Sequence, residues 1–362
     1  MKKQLLNKLN LLIESFQSIL YEKDEAFLTN MEKKNLAGDN INRYKFWEWT
    51  QGVGLYGLWK LFEITKDNKY LNMIEKYFSL CFEIGLPSKN INTVTPMLTL
   101  AKYAAYTENE KYKEECEAWA DFILNEMTRT AFGGLQHQTS DSVNRQELWD
   151  DSLFMSVLFL ANWGKFTNNK KYIDEANYQF LIHSYYLSEN KNGLWYHGWT
   201  FEGNHNFVEA FWGRGNCWIT AAIPEFLSLE ISSESEARFL KMLLSRQIET
   251  LIEFQDKSGL WHTLIDDETS YLETSATCGF VFGILCAINQ EIIEPKYLDN
   301  VDRAISAILE NINEVGTLEN VSYGTPMGRD SKQFYKDIPI KTMPYGQALA
   351  MLALVEKLKY DK

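Results

Sequence analysis

The chain has 362 residues, of which 45% are hydrophobic and 23% are charged, a composition typical of a globular protein and not of a disordered one. Its formal net charge of −13 argues against a nucleic-acid partner and against an anionic membrane surface, and no stretch is apolar and long enough to span a bilayer. Five cysteines without a Cys-x-x-Cys pair predict reduced thiols in a cytoplasmic protein.

The N-terminal segment, residues 1–40, predicts a helical lead-in. Its apolar positions recur at helical spacing, the polar residues Asn7, Asn10 and Glu14 interrupt them, and no small-residue cleavage site follows. We therefore expect an amphipathic first helix rather than a signal peptide. Residues 1–362 are predicted to form a single domain, because ring-shaped folds of this length are common.

Two repeats organise the rest of the chain. The pattern Thr-x-x-x-Lys-Tyr occurs at residues 65–70, 107–112 and 167–172, with a looser copy at 295–298 and a missing copy expected near Ser232. A second repeat, rich in glycine, leucine, tryptophan and histidine, alternates with it at residues 133–137, 192–197 and 258–262, and more weakly at 316–319. Repeats of this spacing indicate an architecture built from one recurring supersecondary unit.

The segments between these repeats predict two kinds of helix. Residues 153–160 and 278–286 are apolar nearly all round, which predicts helices that are buried on every side. Residues 171–180, which follow a Thr-x-x-x-Lys-Tyr turn, are amphipathic. An inner ring of buried helices within an outer ring of amphipathic helices is an all-α (α/α)6 toroid of about six helical hairpins, and we predict this fold.

The longer glycine-rich loops lead into the first turns of the inner helices. Helix N-termini present free N–H groups and a partial positive charge, so this rim suits an anion. Asp150 and Asp151 stand at one helix start and, about 100° apart around a helix, cannot share one face. One of them is expected to cap the helix. The other is expected to point into the pocket, where the nearby Trp149 and the preceding loop with His137 favour one catalytic carboxylate; the residues alone leave open which of the two it is.

The basic candidates leave alternatives open. Arg214 lies between Trp212 and Trp218 in sequence, where it is either a stacked structural residue or a guanidinium fork that grips a carboxylate. The loop histidines, including His197, do not show a spacing such as His-Glu-x-x-His, so no metal is predicted. They are expected to form hydrogen bonds rather than to bind an ion.

Five segments together resemble the unsaturated uronyl hydrolases of glycoside hydrolase families 88 and 105, and the unsaturated rhamnogalacturonyl hydrolases most of all. They are residues 148–155, 193–199, 212–218, 258–262 and 271–276. The resemblance spans residues 47–347 and implies an (α/α)6 barrel without a cofactor. It also implies a small substrate produced by a polysaccharide lyase, which leaves a C4=C5 double bond on a terminal galacturonyl or glucuronyl residue. The enzyme would hydrate that bond and release the adjoining sugar, for which the resemblance suggests rhamnose.

The resemblance also assigns residues to the site. It implies that Asp151 is the catalytic acid and base. The residues it places around the substrate are Trp49, His137, Trp149, His197, Trp212, Arg214 and Trp218. Relatives carry a second pocket aspartate where this chain has Asn92, which can form hydrogen bonds but cannot act as a base.

Two other functions remain open from the sequence. One is a different carbohydrate enzyme on the same toroid, either a conventional glycosidase or a sugar epimerase with paired histidine bases. The other is a glycan-binding toroid without catalytic activity, which would use the same tryptophans but tolerate the loss of Asp151. Residues 324–332 are either a loop that shapes the leaving-sugar site or a solvent-facing loop.

Overall fold

A computed structural model describes residues 2–362, and nearly all of its regular elements are helices. Six helices form an inner ring in which each helix contacts the next, and the last closes against the first. They are α3 (Trp49–Thr65), α5 (Thr95–Thr107), α7 (Leu158–Thr167), α9 (Gly213–Leu227), α11 (Thr274–Asn289) and α14 (Pro344–Tyr360). In α11, every residue from Thr274 to Ile288 is buried, as expected for a helix with neighbours on all sides.

An outer helix packs against each inner helix. In the order of their inner partners, the outer helices are α4 (Asn68–Ile84), α6 (Glu110–Asn125), α8 (Lys170–Leu187), α10 (Glu234–Glu253), α12 (Leu298–Glu310) and α1 (Lys2–Ile19). The predicted (α/α)6 barrel is therefore confirmed. The first helix of the chain packs against the last inner helix, so the N-terminal segment completes the sixth hairpin instead of preceding the ring.

The Thr-x-x-x-Lys-Tyr repeat marks the turn from an inner to an outer helix. The inner helices end at its threonine, whose hydroxyl donates to the carbonyl four residues earlier; the three cases are Thr65, Thr107 and Thr167. The next residue is left-handed, and an Asp or Asn two positions after the threonine caps the outer helix. The missing fourth copy is replaced by Ser233, which forms a capping box with Glu236.

The glycine in the weakest copy of the second repeat, residues 316–319, lies where the ring closes. Gly316 has a φ of +78°, and a Cβ atom there would lie 2.1 Å from the carbonyl oxygen of Leu11 in α1. Only glycine permits both this backbone conformation and this close approach. The loop after α12 therefore packs directly on the helix that closes the barrel.

Short strands lie at the end of the barrel where the inner helices begin. Strands β1 (Glu147–Trp149) and β2 (Gly198–Thr200) pair antiparallel, and so do β3 (Trp261–His262) and β4 (Leu272–Glu273). Helix α2 (Glu25–Lys34) and the single turn α13 (Gln333–Lys336) lie in connecting segments. Within residues 2–362, no helix combines the length and the apolar character that a membrane span requires.

Candidate active site

A cavity of about 570 Å³ opens at the end of the barrel where the inner helices begin. This volume is typical of sites that enclose a small organic ligand. Of the residues predicted from the sequence, those that line it are Trp49, Asn92, His137, Trp149, Asp151, Trp212, Arg214 and Trp218. They come from the starts of several inner helices, so the fold brings together side chains that are far apart in the sequence.

The placement of His197 at the cavity needs correction. It is 2% exposed and does not line the cavity, because Trp149 and Trp212 stand against its ring at centroid distances of 5.2 and 4.3 Å. Its Nδ1 hydrogen-bonds with the hydroxyl of Tyr335 at 2.7 Å. His197 therefore supports two tryptophans of the cavity wall from behind.

Asp151 is a carboxyl group on the cavity wall, in the turn between β1 and α7. Its side chain is 16% exposed, and its Oδ1 accepts no hydrogen bond. Burial raises the pKa of Asp151 to about 7, although the charge of Arg214 and nearby backbone N–H groups act in the opposite direction. At neutral pH a substantial fraction of this group therefore carries a proton.

The helix that follows Asp151 starts with a wider turn. Residues Leu153–Val157 form a π-helical segment before α7, in which Leu158 N–H donates to the carbonyl of Leu153. Such insertions distort a helix locally and often occur at functional sites. Here the distortion lies directly after the candidate catalytic residue.

His137 lies beside Asp151 in the cavity wall. Its Nδ1 is 3.3 Å from Asp151 Oδ1 and hydrogen-bonds with the hydroxyl of Ser152 at 2.9 Å. Its ring stacks on Trp149 with a centroid distance of 4.2 Å. Burial lowers the pKa of His137 to about 3, so the imidazole is neutral and the contact with Asp151 is not an ion pair.

Asp150 has a different environment from its neighbour. It is fully buried outside the cavity lining, and neither carboxyl oxygen has a hydrogen-bond partner. The expectation that one member of the pair caps the helix is therefore wrong for Asp150. Its carboxyl group packs against Gly215 at the start of α9. Burial and the neighbouring Asp151 raise the pKa of Asp150 well above its usual range, which keeps this group neutral.

Of the two roles that the sequence left open for Arg214, the contacts in the structure match the stacked structural residue. Its guanidinium lies between the rings of Trp212 and Tyr345, 4.8 and 4.7 Å from their centroids. Two of its nitrogens donate to residues 322–325: Nη1 to the carbonyl and hydroxyl of Ser322, and Nη2 to the carbonyl of Tyr323 and the hydroxyl of Thr325, both at 3.0 Å. Only Nε lacks a partner. Arg214 therefore organises a loop and keeps its charge at the cavity, but it does not present a free fork.

Residues 321–337, which we call the rim loop, form part of the cavity wall. Gly324, Thr325 and Met327 line the cavity, whereas residues 329–331 are exposed, so the segment 324–332 faces the cavity at its start and solvent farther on. Arg329 fastens the loop with a bidentate ion pair to Glu147, at 2.8 and 3.0 Å. Glu147 also accepts the indole N–H of Trp149 at 2.9 Å, which couples the loop to a cavity tryptophan.

Some cavity residues were not predicted from the sequence. Tyr345 stacks on Trp49 at a centroid distance of 4.6 Å, and Glu48 is a buried carboxyl group at the start of α3. Both stand in or next to the first turn of an inner helix, and the sequence analysis expected the ligand-binding rim at such positions. Helix α2 also contributes side chains such as Phe27, and its polar sequence gave no such signal.

Asn92 does line the cavity, close to the start of α5. Its backbone N–H donates to Asn90 Oδ1 at 2.9 Å. In the described part of the chain, no three His, Cys, Asp or Glu side chains are grouped so as to hold a metal ion.

A closed barrel of six helical hairpins, with a cavity walled by tryptophans and a carboxyl group of raised pKa, is the arrangement expected of a carbohydrate-active α/α-barrel protein. The comparisons agree: the chain belongs to Glycosyl Hydrolase Family 88, whose model matches residues 23–361. The chain is thus a glycoside hydrolase.

Individual relatives are a glycoside hydrolase and possible members of a glycoside hydrolase family. The chain is 30% identical over 319 residues to the unsaturated rhamnogalacturonyl hydrolase YesR of Bacillus subtilis, covering 87% of this chain and 91% of the relative. A crystal structure of a possible member of the GH105 family from Klebsiella pneumoniae superposes with a TM-score of 0.91 at 42% identity, covering 98% of this chain and 94% of that one. A similar protein from Salmonella enterica gives 0.90 at 42% identity, with the same coverage.

Proposed function

We propose that this protein hydrolyses lyase-generated oligosaccharides that end in an unsaturated uronyl residue. The single observation that carries the proposal is Asp151, a carboxyl group in an aromatic cavity whose pKa is raised to about 7. The names of its relatives include an unsaturated rhamnogalacturonyl hydrolase and two unsaturated 3S-rhamnoglycuronyl hydrolases, and these support the substrate class. We infer a galacturonyl or glucuronyl residue linked to rhamnose.

The proposed reaction starts with proton transfer to carbon. Protonated Asp151 gives its proton to C4 of the C4=C5 double bond, which leaves a cation at C5 that the ring oxygen stabilises. A water molecule adds at C5 and loses a proton to the Asp151 carboxylate, which restores the acid. The resulting hemiketal opens to a ketone, and the hemiacetal that this leaves at C1 releases the adjoining sugar. Atoms balance with one water consumed, and no second carboxylate is required.

The surroundings of Asp151 suit both halves of this cycle. Desolvation by the tryptophan walls keeps the acid protonated near neutral pH, while the charge of Arg214 limits the cost of the carboxylate formed during the reaction. Neutral His137 touches the same carboxyl group and can orient the water through a hydrogen bond. Trp49, Trp149, Trp212 and Trp218 are proposed to contact the apolar faces of the sugars, with Asn92 hydrogen-bonding a hydroxyl.

The sugar epimerase alternative is weakened by the histidines. Such an enzyme needs two bases on opposite sides of the substrate, and His137 is the one histidine among the described residues that line the cavity. Its pKa of about 3 makes it a poor base at neutral pH. The glycan-binding alternative without catalysis is disfavoured by membership of a hydrolase family.

The test uses the absorbance of the substrate itself. An unsaturated disaccharide made by a polysaccharide lyase absorbs in the ultraviolet because its double bond is conjugated with the carboxylate, and hydration removes the absorbance. We expect the purified protein to abolish it and to release one reducing sugar per bond hydrated. No loss of absorbance with galacturonyl or glucuronyl disaccharides would overturn the proposal.

A further inference from the structure

Glu48 is a second carboxyl group in the wall of the cavity, and the mechanism above does not use it. It is 6% exposed, lines the cavity together with Trp49, and precedes the first residue of α3. Among the described residues, no Lys, Arg or His forms an ion pair with it. A buried carboxylate without a cation is costly, so its surroundings favour the neutral acid.

A comparison with Glu273 shows how little the protein does to hold Glu48 as an anion. Glu273 is also buried directly before an inner helix, and it accepts four hydrogen bonds, from Ser275 N and Oγ, Ala276 N and Ser322 N, at 2.5 to 3.1 Å. Glu273 does not line the cavity.

Glu48 accepts only two hydrogen bonds, from the hydroxyl of Ser140 at 3.1 Å and from Trp49 N at 3.3 Å. The Ser140 hydroxyl in turn accepts from Asn90 Nδ2 at 2.8 Å, which fixes the direction of that bond toward Glu48. Glu48 is therefore a carboxyl group with spare hydrogen-bonding capacity at a ligand cavity.

Among the charged groups around Glu48, Asp141 is the one that favours its neutral form. The Asp141 carboxylate adds negative charge on one side, and burial together with Asp141 raises the pKa of Glu48 to about 8. Tyr44 and Tyr77 pack nearby, and burial raises the pKa of both, so these phenols stay neutral. The other charged residues that line the cavity form no ion pair with Glu48; they are Asp24, Lys34, Lys45, Asp151, Arg214 and Arg329.

We propose that Glu48 is a substrate-binding residue whose protonated carboxyl group donates its O–H to a hydroxyl oxygen of the bound sugar. This inference rests on the proposed function and adds a specificity element to it. A neutral carboxyl group can share a cavity with the carboxylate of the unsaturated sugar without repulsion. A deprotonated Glu48 would lose its donor and repel the anionic substrate, so affinity falls when Glu48 ionises.

The experiment measures binding to a protein in which residue 151 can neither react nor titrate. Calorimetric dissociation constants of the unsaturated disaccharide are compared between Asp151→Asn and the double variant Asp151→Asn/Glu48→Gln. Glutamine keeps the size of the side chain, its acceptor and an N–H donor, but it does not ionise. All other titrating groups are common to the two proteins, so their difference isolates Glu48.

We expect the affinity of the single variant to fall about tenfold from about pH 6.5 to about pH 9, as a donor with a pKa of about 8 is lost. The double variant should change by less than about twofold over the same range. Glu48→Leu on the same background should bind about tenfold more weakly at about pH 6.5, the loss of one hydrogen bond. Asp67→Asn, which alters an exposed capping carboxylate of α4, serves as the control and should follow the single variant.

Identical pH profiles for the single and double variants would overturn the role of Glu48. If the wild type consumes the disaccharide in that case, the proposed function is retained and only the role of Glu48 is lost. A wild type that neither consumes nor binds it overturns the proposed function, and the assignment of Glu48 to this sugar falls with it. Infrared difference spectra between wild type and Glu48→Gln give a second readout: the carbonyl band of a protonated acid is expected at neutral pH, and its absence contradicts the inference.

Discussion

The pH dependence of catalysis follows from the environment of Asp151. Because the proposed reaction needs Asp151 protonated in the free enzyme, and its pKa is about 7, kcat/KM should be constant on the acid side and fall above neutral pH. At about pH 8 roughly one enzyme molecule in 11 would be protonated, so kcat/KM should be about tenfold below its plateau. This fall of kcat/KM with rising pH is opposite to the behaviour of an enzyme that depends on a general base, whose activity rises with pH.

Substitution of Arg214 tests whether the ionisation of Asp151 causes the fall of kcat/KM above neutral pH, which we call the alkaline limb. Its positive charge lowers the pKa of Asp151, so Arg214→Gln should move the alkaline limb to higher pH while reducing the plateau. The assay is the loss of ultraviolet absorbance across a pH series, with circular dichroism to check folding. Arg246→Gln removes a partly exposed arginine on α10 that contacts the carbonyl of Asn190, outside the cavity, and it should leave the limb in place. A profile that is flat to about pH 8, or a limb that moves down in Arg214→Gln, would refute the reasoning.

Three further substitutions have expected outcomes. Arg214→Lys should raise KM at least ~10-fold and make the rim loop more sensitive to protease, because one ammonium cannot replace four hydrogen bonds; an unchanged KM contradicts this. Glu225→Gln should lower the unfolding free energy by about 1–3 kcal/mol in chemical denaturation, since it removes the 2.7 Å ion pair of partly buried Lys60 and leaves only the 3.9 Å pair to Glu63. The pKa of Glu225 is lowered in the folded protein, so the stability contributed by the Lys60–Glu225 ion pair is present above the usual glutamate pKa and lost on acidification. A difference in unfolding free energy between wild type and variant that persists in acid argues against this ion pair. Gly215→Ala should reduce kcat/KM more than ~10-fold, because its Cβ would lie 2.2 Å from Asp150; near-normal kinetics would show that the site adapts.

The barrel could be predicted because its turns carry local chemistry. A threonine that ends an inner helix, a left-handed residue and an Asp or Asn cap recur with the same spacing, as at Thr65 and Asp67. The all-apolar inner helices could be recognised from composition alone. The closure of the ring by α1 could not, because an amphipathic N-terminal helix shows which face is buried but not which helix covers it.

The cavity residues were predictable as far as they stand at the starts of inner helices. Trp149, Asp151 and Trp212 meet there because the topology places all these starts at one end of the barrel. The error for His197 arose because sequence position does not show which way a loop side chain points, and this side chain packs behind two tryptophans. Glu48 was missed because only three-dimensional contacts show that a glutamate before a helix lacks a cation.

The most direct test of the account is the rate of Asp151→Asn on the unsaturated disaccharide. Asparagine keeps the shape of the side chain but can neither give a proton to C4 nor take one from water. We predict that kcat falls by about 10²–10⁴, while calorimetry still detects binding of the disaccharide. Wild-type turnover by this variant would contradict the central claim that Asp151 transfers the proton.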